Sequence, residues 1–93
     1  MNLCAELGKV VAVNDERKHF KFLLSVWQER TCHITCVIFN PSPEDKEYVR
    51  SLHTSALIVW VQGWLVNHKV RIHDKTILTM TELATTRFNI KEV

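Results

Sequence analysis

The segment Leu57-Ile58-Val59-Trp60-Val61-Gln62-Gly63-Trp64-Leu65 constrains the fold more than any other stretch of the chain. It is an apolar, strand-forming run with one glycine and two tryptophans four residues apart. Successive side chains on a strand face opposite ways, so Leu57, Val59, Val61 and Leu65 share one face and Trp60, Gln62 and Trp64 the other. The first set reads as core. The second sets two indoles roughly 13 Å apart on an outer surface, at about 3.3 Å of rise per residue. Gly63 falls on the inner side, where the missing Cβ permits a sharp bend or a close backbone approach, as at the corner of a small barrel. A strongly curved strand with an aromatic outer face implies a small barrel whose surface binds something flat.

The rest of the chain fits one such unit. With 93 residues there is room for one core, so residues 1–93 are read as a single domain. A hydrophobic share of 46% excludes a disordered chain, and no apolar run approaches the roughly 20 residues of a membrane span. The opening residues carry no basic segment followed by a long apolar one, which speaks against a secretory signal. Three cysteines, an odd number, read as reduced thiols in an intracellular protein. A net charge of +2 is too small to name a polyanionic partner by itself, so the distribution of cations has to carry that point.

Along the chain, Leu3 to Asn14 is β-compatible and Asn14-Asp15 closes it as a turn. Lys18 to Gln28 alternates, with Phe20, Phe22, Leu24 and Val26 inward and Lys21, Leu23, Ser25 and Trp27 outward. A polar connection leads to a third strand, Cys32 to Phe39. Ser42-Pro43-Glu44-Asp45 then marks a helix start: a capping serine, a proline suited to the first turn, and two acids for the positive end of the dipole. This helix is expected over Pro43 to about Leu52, burying Tyr48, Val49 and Leu52. After the fourth strand, Lys69 to His73 alternates again, with Val70 and Ile72 inward and Lys69, Arg71 and His73 outward. Asp74-Lys75 is a tight turn, and Thr76 to Leu83 is the last expected strand. The barrel therefore spans about residues 3–84, and 85–93 form an extension that the pattern does not place. Three strands, a capped helix and two further strands give an all-β fold, the five-stranded oligonucleotide/oligosaccharide-binding (OB) barrel with one helix between strands three and four.

At this level the chain resembles the bacterial-type single-stranded DNA-binding proteins, including short, primosomal replication protein-like members. The resemblance rests on Gly8, Phe22-Leu23-Leu24, Thr31, Cys36-Val37-Ile38-Phe39, Glu47-Tyr48-Val49-Arg50, Val59-Trp60-Val61-Gln62-Gly63-Trp64-Leu65 and Asp74-Lys75, in order over about residues 3–84. It implies a non-enzymatic protein that binds single-stranded DNA, or RNA, with little sequence preference, in replication, recombination or repair. Three departures stand out. His33 occupies the place of an aromatic stacking residue. Both hairpins that wrap nucleic acid in the family look short. An acidic, Phe-ended tip is replaced by Asn89-Ile90-Lys91-Glu92-Val93, so recruitment through such a tip is not implied.

Binding single strands without sequence preference takes aromatic platforms for the bases and cations along the backbone path. Trp27 and His33 are the expected stackers; Lys21, Arg30, Lys69 and Arg71 are the expected phosphate contacts, with Lys18 and Lys75 in support. Trp60 and Trp64 are assigned to an oligomer or partner-protein interface, because exposed apolar patches mark such surfaces. The alternative is an OB-fold interaction subunit of a larger complex, docking through Trp60 and Trp64 with little nucleic-acid affinity. Cys32, His33 and Cys36 invite a zinc reading, but a fourth ligand is missing and His33 faces away from the two cysteines, so no metal or other cofactor is expected. Acids are scattered, with no spaced nucleophile and base and no glycine-rich phosphate loop, so no catalysis is expected either.

Overall fold

The computed structural model describes residues 3–15, 19–27 and 30–93. Lys18 and Gln28, the expected ends of the second strand, lie outside the described residues. Five strands and one helix follow in order: β1 (Leu3–Asp15), β2 (His19–Trp27), β3 (Thr31–Phe39), α1 (Pro43–Ser55), β4 (Ile58–Arg71) and β5 (Ile77–Glu92). They close into a barrel with neighbour order β1-β2-β3-β5-β4, all pairs antiparallel except β3 with β5. This is the expected OB architecture with its helix between β3 and β4.

The core is built by period-two alternation. Phe20, Phe22, Leu24 and Val26 of β2 pack with Val10, Cys36, Ile38, Val59, Val61, Leu83 and Ile90. Helix α1 plugs one end of the barrel with Val49 and Leu52, and Tyr48 lies half-buried beside them. Its start is a capping box: Asp45 N–H donates to Ser42 Oγ (3.1 Å), and Ser42 N–H donates to the Asp45 carboxylate (3.0 Å). The helix runs a turn further than expected. It stops at Ala56, which adopts a left-handed φ of 55° and donates its N–H to Leu52 O. At the start of the helix, Lys46 and Arg50 clasp Asp15 at the end of β1, at 3.0 and 2.9 Å. The hydrogen bond from Lys46 is the main reason the Asp15 carboxyl titrates below its ordinary value.

Both glycines mark close approaches between backbones. A Cβ on Gly8 would meet the Ser25 carbonyl, and one on Gly63 would meet the Ala84 carbonyl. At Gly63 the β4–β5 ladder breaks register. Val61 pairs with Ile90 but Gly63 pairs with Thr85, so Gln62 alone faces the four residues Thr86 to Asn89. The Gln62 carbonyl left at this corner is satisfied by Thr85 Oγ1, which donates at 2.7 Å. The corner resolves several expectations. β5 continues past Leu83, and residues 90–92 return to pair with Val61, Trp60 and Val59, so the unplaced segment is part of the barrel wall. Beyond Gly63, β4 bends out of the wall, which leaves Leu65 exposed instead of in the core; Leu57, just before β4 begins, is exposed as well. Lys69 to Arg71 is no separate strand but the far end of β4, paired with Ile77 to Thr79 in a two-stranded ribbon that stands off the barrel. Val70 and Ile72 therefore do not point into the barrel; they are exposed on this ribbon. The hairpin between β4 and β5 is long, contrary to the expectation of a short one, although its turn at Asp74-Lys75 is tight and closed by Thr76 N–H donating to His73 O (3.2 Å).

Two exchanges between alanine and glycine should act in opposite directions. Gly63→Ala forces Cβ into a backbone carbonyl and is expected to cost about 1–3 kcal/mol, as overpacking does. Ala56→Gly relieves the left-handed residue and is expected to stabilise by up to about 1 kcal/mol. Urea unfolding followed by circular dichroism measures both.

Candidate functional site

The outer surface of β2 and β3 is defined by register. Lys21, Leu23, Ser25 and Trp27 stand opposite Val37, Thr35, His33 and Thr31, all on the side away from the buried phenylalanines. Trp27 keeps 53% of its surface exposed, and the Lys9 ammonium lies 5.2 Å from its ring centroid. That cation holds the indole without covering it. His33 and Arg30 are exposed at the same end of the sheet.

Toward the helix end of β2 and β3 the surface deepens into a groove of about 430 Å³, lined by His19, Lys21, Val37, Phe39, Val66, Asn67 and Glu82. Its floor carries an ion pair, Lys21 Nζ to Glu82 Oε2 at 2.9 Å, with both side chains largely out of water. Its rim carries an aromatic pair: His19 and Phe39 meet edge to face, 5.2 Å between centroids at 84°. Phe39 is 45% exposed. The opposite wall is the base of the β4–β5 ribbon. One face of the ribbon presents Asn67, Lys69 and Arg71 beside Thr81, Thr79 and Ile77, with Thr81 Oγ1 donating to Asn67 Oδ1 at 2.7 Å. The other face presents Val70, Leu78 and Met80, all exposed.

The six expected contact residues thus fall into three groups. Trp27, Arg30 and His33 sit together at one end of the β2–β3 surface. Lys69 and Arg71 stand on the ribbon beyond the groove. Lys21 faces outward as expected, but its ammonium is engaged by Glu82, so it acts first as part of the groove floor. The sequence reading overlooked His19 and Phe39. A signal existed: Phe39 alternates with the core residue Ile38 and so belongs on the outer face, directly before the helix start. Trp60 and Trp64 lie on the outer face of β4, opposite Leu7 and Leu3 of β1. Trp60 is 47% exposed, whereas Trp64 is half-buried.

A second cavity, about 380 Å³, lies between the ribbon base and the inward-facing residues Cys4, Glu6, Ile34 and Leu83. All three cysteines are free thiols. Burial, reinforced by nearby Glu6, pushes the Cys36 thiol up to about 12, so it stays protonated and behaves as a small apolar core residue. Among the described residues no three His, Cys, Asp or Glu side chains converge as metal ligands, and no helix is long and apolar enough to cross a membrane.

No protein-family model and no curated protein matches this sequence. Solved structures do match its fold. The mitochondrial single-stranded DNA-binding protein Rim1 of S. cerevisiae superposes with a TM-score of 0.65 at 13% identity, covering 99% of this chain and 94% of that one. The Plasmodium falciparum SSB, solved in complex with ssDNA, superposes with a TM-score of 0.63 at 18% identity, covering 100% of this chain and 93% of that one. At such identities the likeness establishes the fold, a closed OB barrel of the kind those single-stranded DNA-binding proteins share.

The groove floor makes a prediction of its own. Lys21→Met removes the cation beside the buried Glu82 and is expected to destabilise by up to about 3–5 kcal/mol, the usual cost of removing one partner of a buried pair. The double variant Lys21→Met/Glu82→Leu is expected to recover much of that loss, because the unmatched charge goes too. Chemical denaturation of the two variants beside wild type checks both.

Proposed function

We propose that this chain binds single-stranded nucleic acid, with DNA as the first candidate, and does no chemistry on it. The observation that carries this reading is the open groove rimmed by the exposed Phe39 against the half-buried His19, with the ribbon that forms its far wall carrying Lys69 and Arg71 beyond it. Exposed flat rings beside cations are what sequence-tolerant single-strand binding needs, since every base has a π-face and every nucleotide a phosphate. Trp27 and Phe39 are the main stackers in this reading, with His33 and His19 beside them. Arg30, Lys69, Arg71 and Lys75 track the backbone, and Lys21 holds the floor through Glu82. The same binding is a property of the Plasmodium falciparum SSB, whose fold this chain shares. With that partner we assign the chain a role in replication, recombination or repair inside the cell, and the free thiols suit a reducing compartment.

A second surface supports assembly. Leu3, Leu7 and Trp60 form an apolar strip over β1 and β4, with Trp64 at its edge, and Leu3 to Leu7 pair only with β4 among the described residues. An apolar face beside an open strand edge suits a second copy of the chain or a partner subunit. A homo-oligomer built this way leaves the groove free and multiplies a small footprint.

The test is a titration of tryptophan fluorescence with oligothymidine at two salt concentrations. Saturable quenching is expected, weakening with salt at a slope of log K against log salt near −3 for about four phosphates. Trp27→Ala should remove most of the quenching, and Phe39→Ala should weaken affinity by about 1–3 kcal/mol, the worth of one stacked base. Absence of quenching at low salt with micromolar protein overturns the reading and leaves the Trp60 face as the functional surface.

A further inference from the structure

The corner at Gly63 has a counterpart on β5. Because Gln62 alone faces Thr86 to Asn89, those four residues bulge from the barrel wall. The bulge presents Phe88 with 73% of its surface exposed, more than any other aromatic residue among those described. Its neighbour Arg87 is fixed in place by rings: the guanidinium carbon lies 4.7 Å from the Tyr48 centroid and 5.5 Å from that of Phe88. Arg87 Nε is buried and has no hydrogen-bond partner among the described residues. Stacking thus orients this half-buried guanidinium, and with Nε out of reach of solvent an anionic oxygen from outside would be met by its terminal nitrogens.

Register says what passes by. The parallel pairing of β3 with β5 ends at Val37 and Ala84; beyond it β3 runs on to Phe39 while β5 runs on into the bulge that begins at Thr86 and carries Phe88. A strand that leaves the groove past Phe39 and follows the seam between β3 and β5 therefore meets the bulge next. The pairing of an exposed ring with a stacked cation matches the pairing of base with phosphate in one nucleotide. The geometry points to Arg87 and Phe88 as an outlying single-strand contact, Phe88 stacking a base and Arg87 taking a phosphate from the strand that leaves the groove. This rests on the single-strand reading above. It makes the bulge functional as well as a device for closing the barrel. Glu92 lies close enough to raise the Tyr48 hydroxyl, after burial, while Arg87 opposes it.

The experiment compares labelled oligothymidines of about 5 and about 15 nucleotides, near the two ends of the range one such barrel covers. Fluorescence polarisation is read for wild type, Phe88→Ala and Arg87→Gln. Phe88 is exposed, so its truncation leaves the core intact. Phe88→Ala is expected to weaken the longer oligomer about five-fold or more and to leave the shorter one unchanged. Arg87→Gln is expected to reduce the magnitude of the salt slope for the longer oligomer by about 0.7, one phosphate. Unchanged affinity for the longer oligomer overturns the contact while leaving the groove reading intact. Equal weakening at both lengths also overturns it, since the effect would then lie in the groove or the fold. A wild-type protein that binds neither oligomer removes the single-strand reading, and this contact with it.

Discussion

The structure depends on one contact between backbones, the approach of Gly63 to the Ala84 carbonyl. A side chain there would hold β4 and β5 apart. Without one, β4 turns at the corner: its first half closes the barrel against β1, and its second half leaves with β5 as a free ribbon. The same corner makes β5 bulge over Thr86 to Asn89 before it returns to the wall. Barrel closure, the ribbon and the bulge are thus three consequences of one missing Cβ. Gly8 plays a matching part against Ser25 between β1 and β2.

The groove follows from the ribbon. A two-stranded ribbon has little stability of its own in water and owes its position to the barrel that anchors its base. Its base leans over β2 and β3, and Val66 and Asn67 form the wall opposite Phe39 and His19. The Lys21–Glu82 pair ties β2 to β5 beneath it. Among the described residues, Trp27 and Phe39 stand on the sheet, while Lys69, Arg71 and Lys75 stand on the projecting hairpin. In the proposed single-strand reading, bases would meet the sheet surface and phosphates the cations of the hairpin.

Much of this was legible in the sequence because burial imposes period two. Phe20 to Val26 and Val59 to Val61 could satisfy only one side of a strand, and Ser42-Pro43-Glu44-Asp45 could start only a helix. The illegible parts lie where the period stops reporting burial. On the ribbon, Val70 and Ile72 alternate with Lys69 and Arg71 as they would on a barrel wall, yet no barrel lies behind them, so alternation suggested an interior that is not there. Leu65 misled for the same reason, one residue beyond Trp64 and past the bend. Residues 85–93 carry no clean alternation because four of them bulge. Phe39 went unnoticed as a site residue because it ends an apolar run, Cys36-Val37-Ile38-Phe39, in which no polar residue marks the outer face. Lys21 was correctly set on the outer face, but its pairing with Glu82, distant in sequence, needed the fold to be seen.

The most direct test of the central claim, that the groove between the ribbon and the β2–β3 surface is where a single strand lies, is a chemical-shift map. Isotope-labelled protein would be titrated with oligothymidine at low salt and its amide and indole signals followed. The account predicts saturable shifts at Lys21, Val37, Phe39, Lys69 and Thr81, with the Trp60 indole and the amides of Leu3 to Leu7 unmoved. Shifts confined to Trp60 and Leu3 to Leu7, or none at all, would contradict it.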